Sequence, residues 1–193
     1  MAFQLVQIIF WLALSTWFGS VIFLALAAPI IFRTIREANP VLTDVLSVNL
    51  QGQHATLLAG TTVGNLLSRF AIIELGCAGA VFVMALAQFF TADLTGRNFL
   101  VAILRCLLCL IAGAIVAFDR VVLWPRIVRS RDEYIQHADE PEIANPARER
   151  FDAEQRRSMT LMMIRAALLL LLIMYSANVQ SAPSRVPEIA TGK

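Results

Sequence analysis

Apolar positions along this chain gather into four long stretches, Phe3–Phe32, Phe70–Ala92, Phe99–Phe118 and Met159–Ala177, with polar positions between them. The first stretch carries no charge; the others carry one each, Glu74, Arg105 and Arg165. About 20 apolar residues are needed to cross a ~30 Å hydrocarbon core, and each stretch is at or near that length. The pattern predicts an all-α fold, a bundle of four transmembrane helices with spans at about residues 3–32, 70–92, 99–123 and 159–177.

The residues between the stretches refine these limits. At 1.5 Å per residue the first helix reaches ~45 Å, so it must tilt or project beyond the bilayer. Pro29 predicts a kink or an end near one face, and Arg33-Thr34-Ile35-Arg36 closes the span. Asn39-Pro40 reads as an N-cap with proline at N1, opening a short interfacial helix that lasts to Gln53-His54. Ala59, Gly60 and Gly64 then lead into the second span, and a tight turn through Asp93–Asn98 leads into the third. Asp119-Arg120 and Trp124-Pro125 close that third span, the tryptophan as an interfacial anchor and the proline as an end or kink. Residues His137–Pro146 read as a linker, and Asn145-Pro146 predicts a fresh helix start. From there the helical pattern continues to about Ala177, a long fourth helix extending into the cytoplasm. Residues 1–180 thus form a single membrane domain, and residues 181–193, with two prolines and small side chains, a disordered tail.

Composition fixes the solvent. At 58% hydrophobic and 16% charged, with mean hydropathy +0.69, the chain belongs in a bilayer. Of 16 basic residues only Lys193 is lysine. Arginine richness would also suit a nucleic-acid binder, but these arginines flank membrane segments, so topology explains them and no nucleic-acid partner is expected. The first connection holds Arg33 and Arg36, with Arg69 at its far edge; the third holds Arg120, Arg126, Arg129, Arg131, Arg148, Arg150, Arg156 and Arg157. Only Arg97, Arg185 and Lys193 lie on the other side. The positive-inside rule therefore places both long connections in the cytoplasm and both termini outside a cell inner membrane. Ala25-Leu26-Ala27 imitates a signal-peptide cleavage site, but no Lys or Arg precedes the apolar run and the run is too long, so the first helix reads as retained.

Charge inside a span is the first candidate chemistry. Each such group costs ~2.5–3.5 kcal/mol at a helix centre, so it turns toward the bundle and finds a partner. Glu74 and Arg165 lie about 6–12 Å in from the same face at 1.5 Å per residue, which predicts a pair. Arg105 enters from the opposite face and is expected to snorkel outward or to bond to Gln4 or Gln7. The pair reads as a structural lock on helix register, as part of an ion or substrate path, or, for Arg165, as a lipid-headgroup contact.

Cys106 and Cys109 share a helix face, and Cys77 is expected at similar depth. With Met84, Met159, Met162, Met163 and Met174 they suit Cu(I), although cysteine and methionine also serve as ordinary apolar packing. His54 and His137 fall outside every span, so a membrane-embedded bis-histidine haem has no ligands; His54 with a methionine is the remaining haem arrangement, and no cofactor is expected. The arginines of the third connection invite an anionic-lipid or partner site, diluted by Asp132, Glu133, Asp139, Glu140 and Glu142.

Several strings resemble the transmembrane protein 205-like family of four-helix membrane proteins. They are Ser15-Thr16-Trp17-Phe18-Gly19-Ser20 with Ala28-Pro29-Ile-Ile-Phe32-Arg33, then Ala59-Gly60-x3-Gly64-x-Leu66-Leu67, then Phe151-x3-Gln155-x2-Ser158. The last resembles the family's Phe-x3-His-x2-Ser signature, with Gln155 in place of the histidine. The resemblance covers roughly Trp11–Asn178 and implies four spans but no reaction. As packing devices, Ser15, Gly19 and Ser20 predict a flat patch for a neighbouring helix with Trp17 beside it, and Phe32 is expected under the Phe151–Ser158 segment. Gln155 and Ser158 share a face and are expected to hydrogen-bond the loop.

Together these features predict a non-catalytic binding or scaffolding component of the cell envelope whose partners are the lipid bilayer and, in addition, a second copy or another membrane protein. A subunit of an oligomeric transporter lined by Glu74, Arg165, Ser15 and Thr16 is one alternative. A membrane redox or metal protein using Cys77, Cys106 and Cys109 is another.

Overall fold

The computed structural model describes residues 2–38, 40, 54–91 and 97–180. They form helices α1 (Ala2–Ala38), α2 (His54–Thr91), α3 (Arg97–Phe118), α4 (Trp124–Gln136) and α5 (Pro141–Gln180), with a π-helical turn, Asp119–Leu123, joining α3 to α4. The architecture is all-α, a four-helix bundle: α1, α2, the α3–α4 rod and α5 are each long and apolar enough to cross a membrane. Only 17–33% of the most apolar window of each is buried inside the molecule. The remainder, including Leu12, Leu26, Ile30, Ile72, Leu100 and Met163, points outward, as a helix facing hydrocarbon requires.

The helices close in a ring in which α1 and α3 each pack against both α2 and α5. Helical periodicity explains the inward faces. Phe10, Leu14, Trp17 and Val21 form a stripe on α1 at i, i+4, i+7 and i+11, and Leu108, Cys109, Ala112 and Val116 form one on α3. Ala78, Val81 and Ala85 of α2 and Leu169 and Leu172 of α5 complete the core. Small residues let α2 and α3 approach closely: a Cβ on Gly113 would lie 3.6 Å from that of Ala78, and the Cys109 thiol donates to the Ala78 carbonyl at 3.6 Å. A second cluster, Leu57, Tyr134, Ala138, Ala144 and Ala147, joins α2, α5 and the end of α4 beyond the apolar stretches.

Several element limits differ from those the sequence suggests. Helix α2 begins at His54, so Ala59–Gly64 is helical rather than a lead-in to the span. Helix α1 continues through Pro29 to Ala38. The start at Asn145-Pro146 is displaced to Pro141, where the Glu140 carbonyl accepts from the amides of Ile143 and Ala144 at 3.0 and 2.9 Å; Pro146 lies inside α5. The third rod does not end at Trp124-Pro125 either. The Trp124 amide bonds back to the Asp119 carbonyl, one residue farther than in an α-helix. This wider turn moves carbonyls clear of the Pro125 ring, and α4 continues beyond it. The expected interfacial helix over residues 39–53, most of the turn before α3 and the tail over 181–193 lie outside the described residues.

Arg105 corrects another expectation. It is 6% exposed and bonds neither Gln4 nor Gln7; its Nη2 donates to Gln88 Oε1 of α2 at 2.9 Å. Its guanidinium lies 4.7 Å from the centre of the Phe10 ring of α1. Position 105 precedes Cys109 and Ala112 on the inward stripe of α3, so rotation about the helix axis places it inside and an amide and an aromatic face receive its charge. Gln88→Leu, which leaves a buried cation without its acceptor, is expected to lower unfolding stability by about 2 kcal/mol. Arg105→Met is expected to lower it less, as measured by reversible unfolding in mixed micelles.

Candidate functional site

Apart from Arg105, the buried charge of the bundle gathers near the π turn. Glu74, on the inward face of α2, is 1% exposed at its side chain, and Arg165 of α5 is 6% exposed. Their closest atoms, Nη1 and Oε2, are 2.9 Å apart, and Nη2 donates to Oε1 at 3.4 Å. The pair that the residue counts predict therefore forms across the bundle. The fully buried Trp17 indole of α1 reaches the same carboxylate, although outside strict hydrogen-bond geometry. Asp119 of the π turn faces Arg165 from another side, and the Ser158 hydroxyl of α5 interacts with its carboxylate. Ser158 thus reaches the π turn rather than a loop. Four segments meet at two carboxylates and one guanidinium.

Beside this cluster lies a cavity offering about 70 Å³ to water, room for several molecules. Leu24 and Ala28 of α1, one face of α2 between Gly60 and Ala71, Trp124 of α4 and Phe151, Gln155 and Met162 of α5 contribute its walls. Asp119 and Arg165 sit at its polar end, where Asp119 Oδ1 and Arg165 Nε are buried without a hydrogen-bond partner. Buried polar atoms are rarely left so. Here an acceptor and a donor are left on two residues that line one cavity. At the other end Arg131 bridges to α2 through Thr61 Oγ1 at 3.3 Å while holding Asp132 at 3.0 Å.

Glycine explains how α2 and α4 meet. A Cβ on Gly64 would lie 2.7 Å from Cη2 of Trp124, so the indole rests directly on the bare backbone and closes the cavity between the two helices. A Cβ on Gly60 would lie 4.0 Å from Phe151 Cζ, an ordinary contact.

The other sequence candidates divide. Gly60, Gly64, Phe151, Gln155 and Ser158 all line the cavity. Trp17 lies in the core instead, Phe32 is half-buried, and Pro29 is exposed. Gly19 has no atom of another helix within 4 Å of its missing Cβ, so the expected close approach is not made there. Ser15 and Thr16 are exposed, Ser15 bonding to the Trp11 carbonyl of its own helix, so they line no path between helices of this chain. Cys77 and Cys106 are half-buried free thiols. Among the described residues no group of three or more His, Cys, Asp or Glu side chains comes together as a metal site.

Asp119 and Trp124 were not legible as site residues, because a charge and a tryptophan closing an apolar stretch resemble a span boundary. One signal was present: Asp119 follows Ala112 and Val116 by seven and three residues, on the inward stripe of α3.

Fold and site define a multi-pass membrane protein, a four-helix bundle with a polar-ended cavity. Comparison with protein-family models, with curated proteins and with solved structures finds no match for the chain.

Removing one member of a buried ion pair typically costs 3–5 kcal/mol. Because Asp119 also faces Arg165, Arg165→Met should destabilise more than Glu74→Gln, and the double variant less than the sum of the two. A double-mutant cycle in micelles reads this coupling. Gly64→Ala, which pushes against Trp124, is expected to cost about 1–3 kcal/mol and to shift Trp124 emission, whereas Gly60→Ala leaves both nearly unchanged.

Proposed function

We propose that this protein is a non-catalytic binding component of a cell inner membrane, with both long connections in the cytoplasm and both termini outside. Its cavity takes a small amphipathic molecule with a hydroxyl or amide head. One observation carries this reading: Asp119 and Arg165 both line the cavity, and each has a buried polar atom, an acceptor and a donor, without a hydrogen-bond partner. A head that both donates and accepts satisfies both atoms, and an alkyl body lies against Trp124, Phe151 and Met162. Residues 60–71 extend roughly 16 Å along α2, enough for a short chain.

The arginine distribution supports the orientation. The positions that carry the resemblance to transmembrane protein 205-like proteins, Gly60, Gly64, Phe151, Gln155 and Ser158, all lie on the walls of this one cavity. That family string ends in a cavity wall, a place where a binding protein differs from a simple packing unit.

The test is titration of the protein in lipid nanodiscs with octanol, octanamide and octane, following Trp124 emission against a Trp124→Phe blank. A saturable change with the two headed compounds, absent with octane and lost in Gly60→Leu, is the expected result. Equal responses to all three compounds, or a response that survives Gly60→Leu, would overturn the reading.

A further inference from the structure

A second feature lies on a different face. Arg126 of α4 and Arg156 and Arg157 of α5 converge on an open groove of about 550 Å³ that shares no lining residue with the central cavity. All three arginines are exposed, and none forms an ion pair among the described residues. Elsewhere in the same connection Arg131 pairs with Asp132 at 3.0 Å and Arg150 with Glu133 at 3.4 Å. Topology accounts for arginine at a membrane face but not for three unpaired guanidiniums around one groove.

The rest of the groove is apolar. Phe118 and Leu123 precede Arg126 on the third rod, and Leu161 follows Arg157 on α5. The two rods run in opposite directions, α4 leading away from the apolar stretches and α5 returning into them. Each nevertheless presents arginine at the outer level and apolar side chains deeper, separated by roughly 4–12 Å at 1.5 Å per residue. Thr160 spends its hydroxyl on the Arg156 carbonyl at 2.9 Å, so the arginines provide the groove's unsatisfied donors. A ligand that matches this order has an anionic, fork-accepting head and a hydrocarbon body, oriented along the membrane normal.

We propose that the groove binds an anionic phospholipid. Its phosphate is held by Arg126, Arg156 and Arg157, and an acyl chain lies over Phe118, Leu123 and Leu161. Guanidinium forks match phosphate oxygens in pairs, and basic pockets between membrane helices are suited to such heads. This proposal does not depend on the central cavity or on which side of the membrane the connections occupy.

The test is native mass spectrometry of the full chain released from nanodiscs of mixed phosphatidylglycerol and phosphatidylcholine. Arg126→Gln/Arg156→Gln/Arg157→Gln is compared with Arg129→Gln/Arg148→Gln/Arg150→Gln, which changes net charge equally away from the groove. The first variant is expected to lose phosphatidylglycerol retention on the order of 100-fold relative to wild type, the second far less. Equal loss in the two variants, or no loss in the first, would overturn the site. Displacement of the lipid by millimolar inorganic phosphate would show a soluble anion, not a lipid, to be the occupant.

Discussion

The ion pair between Glu74 and Arg165 is the contact on which the arrangement of this bundle turns. In water, burial of apolar surface would press the helices together; in hydrocarbon that force is absent, because lipid tails are as apolar as leucine. Association depends instead on close packing and on polar groups that have no other solvent. A carboxylate and a guanidinium that meet at 2.9 Å hold α2 and α5 in one register, and slipping either helix by a turn would separate two charges in a low-dielectric interior. That register brings Ser158 opposite Asp119. It also sets Arg165 at the end of the cavity.

Close packing supplies the rest, through absences of side chain. Ala78 and Gly113 let α2 and α3 approach, and Gly64 receives the face of Trp124. The two devices act at different levels: the small residues of the core bring helices together along the spans, whereas Gly64 admits one large ring and leaves a cavity beside it. The polar end of that cavity belongs to the same charge cluster that fixes the register, so the structure and the proposed binding site draw on one set of atoms.

How far the sequence revealed this depends on the range of the physics involved. Hydropathy is summed locally, so the four apolar stretches were visible at once. Depth along a helix is also local, which is why Glu74 and Arg165 could be matched by counting residues. Rotation about the helix axis and the choice of neighbour are not local in that sense. Arg105 was assigned to Gln4 or Gln7 by depth, but its place on the inward stripe turned it toward Gln88 and Phe10. Ser15 and Gly19, expected on a flat patch for a neighbouring helix, face away from the other helices of this chain. Asp119 was hidden because a charge ending an apolar run usually marks a boundary. Prolines were read as limits too readily: Pro29 and Pro125 suggested a kink or an end and Pro146 a fresh start, and the chain passes all three while remaining helical, in one case by widening a turn.

That widened turn sets a phase. A π turn adds one residue to a single turn of helix, and one residue corresponds to about 100° of rotation in an α-helix. Everything after Leu123 on the third rod is therefore out of step with the stripe that organises α3. It is in this advanced phase that Trp124 rests on Gly64 and Arg126 joins the arginines of α5. Two surfaces of opposite character, one inside the bundle and one on its flank, are aimed by a single supernumerary residue, much as one extra tooth on a gear realigns every mark beyond it.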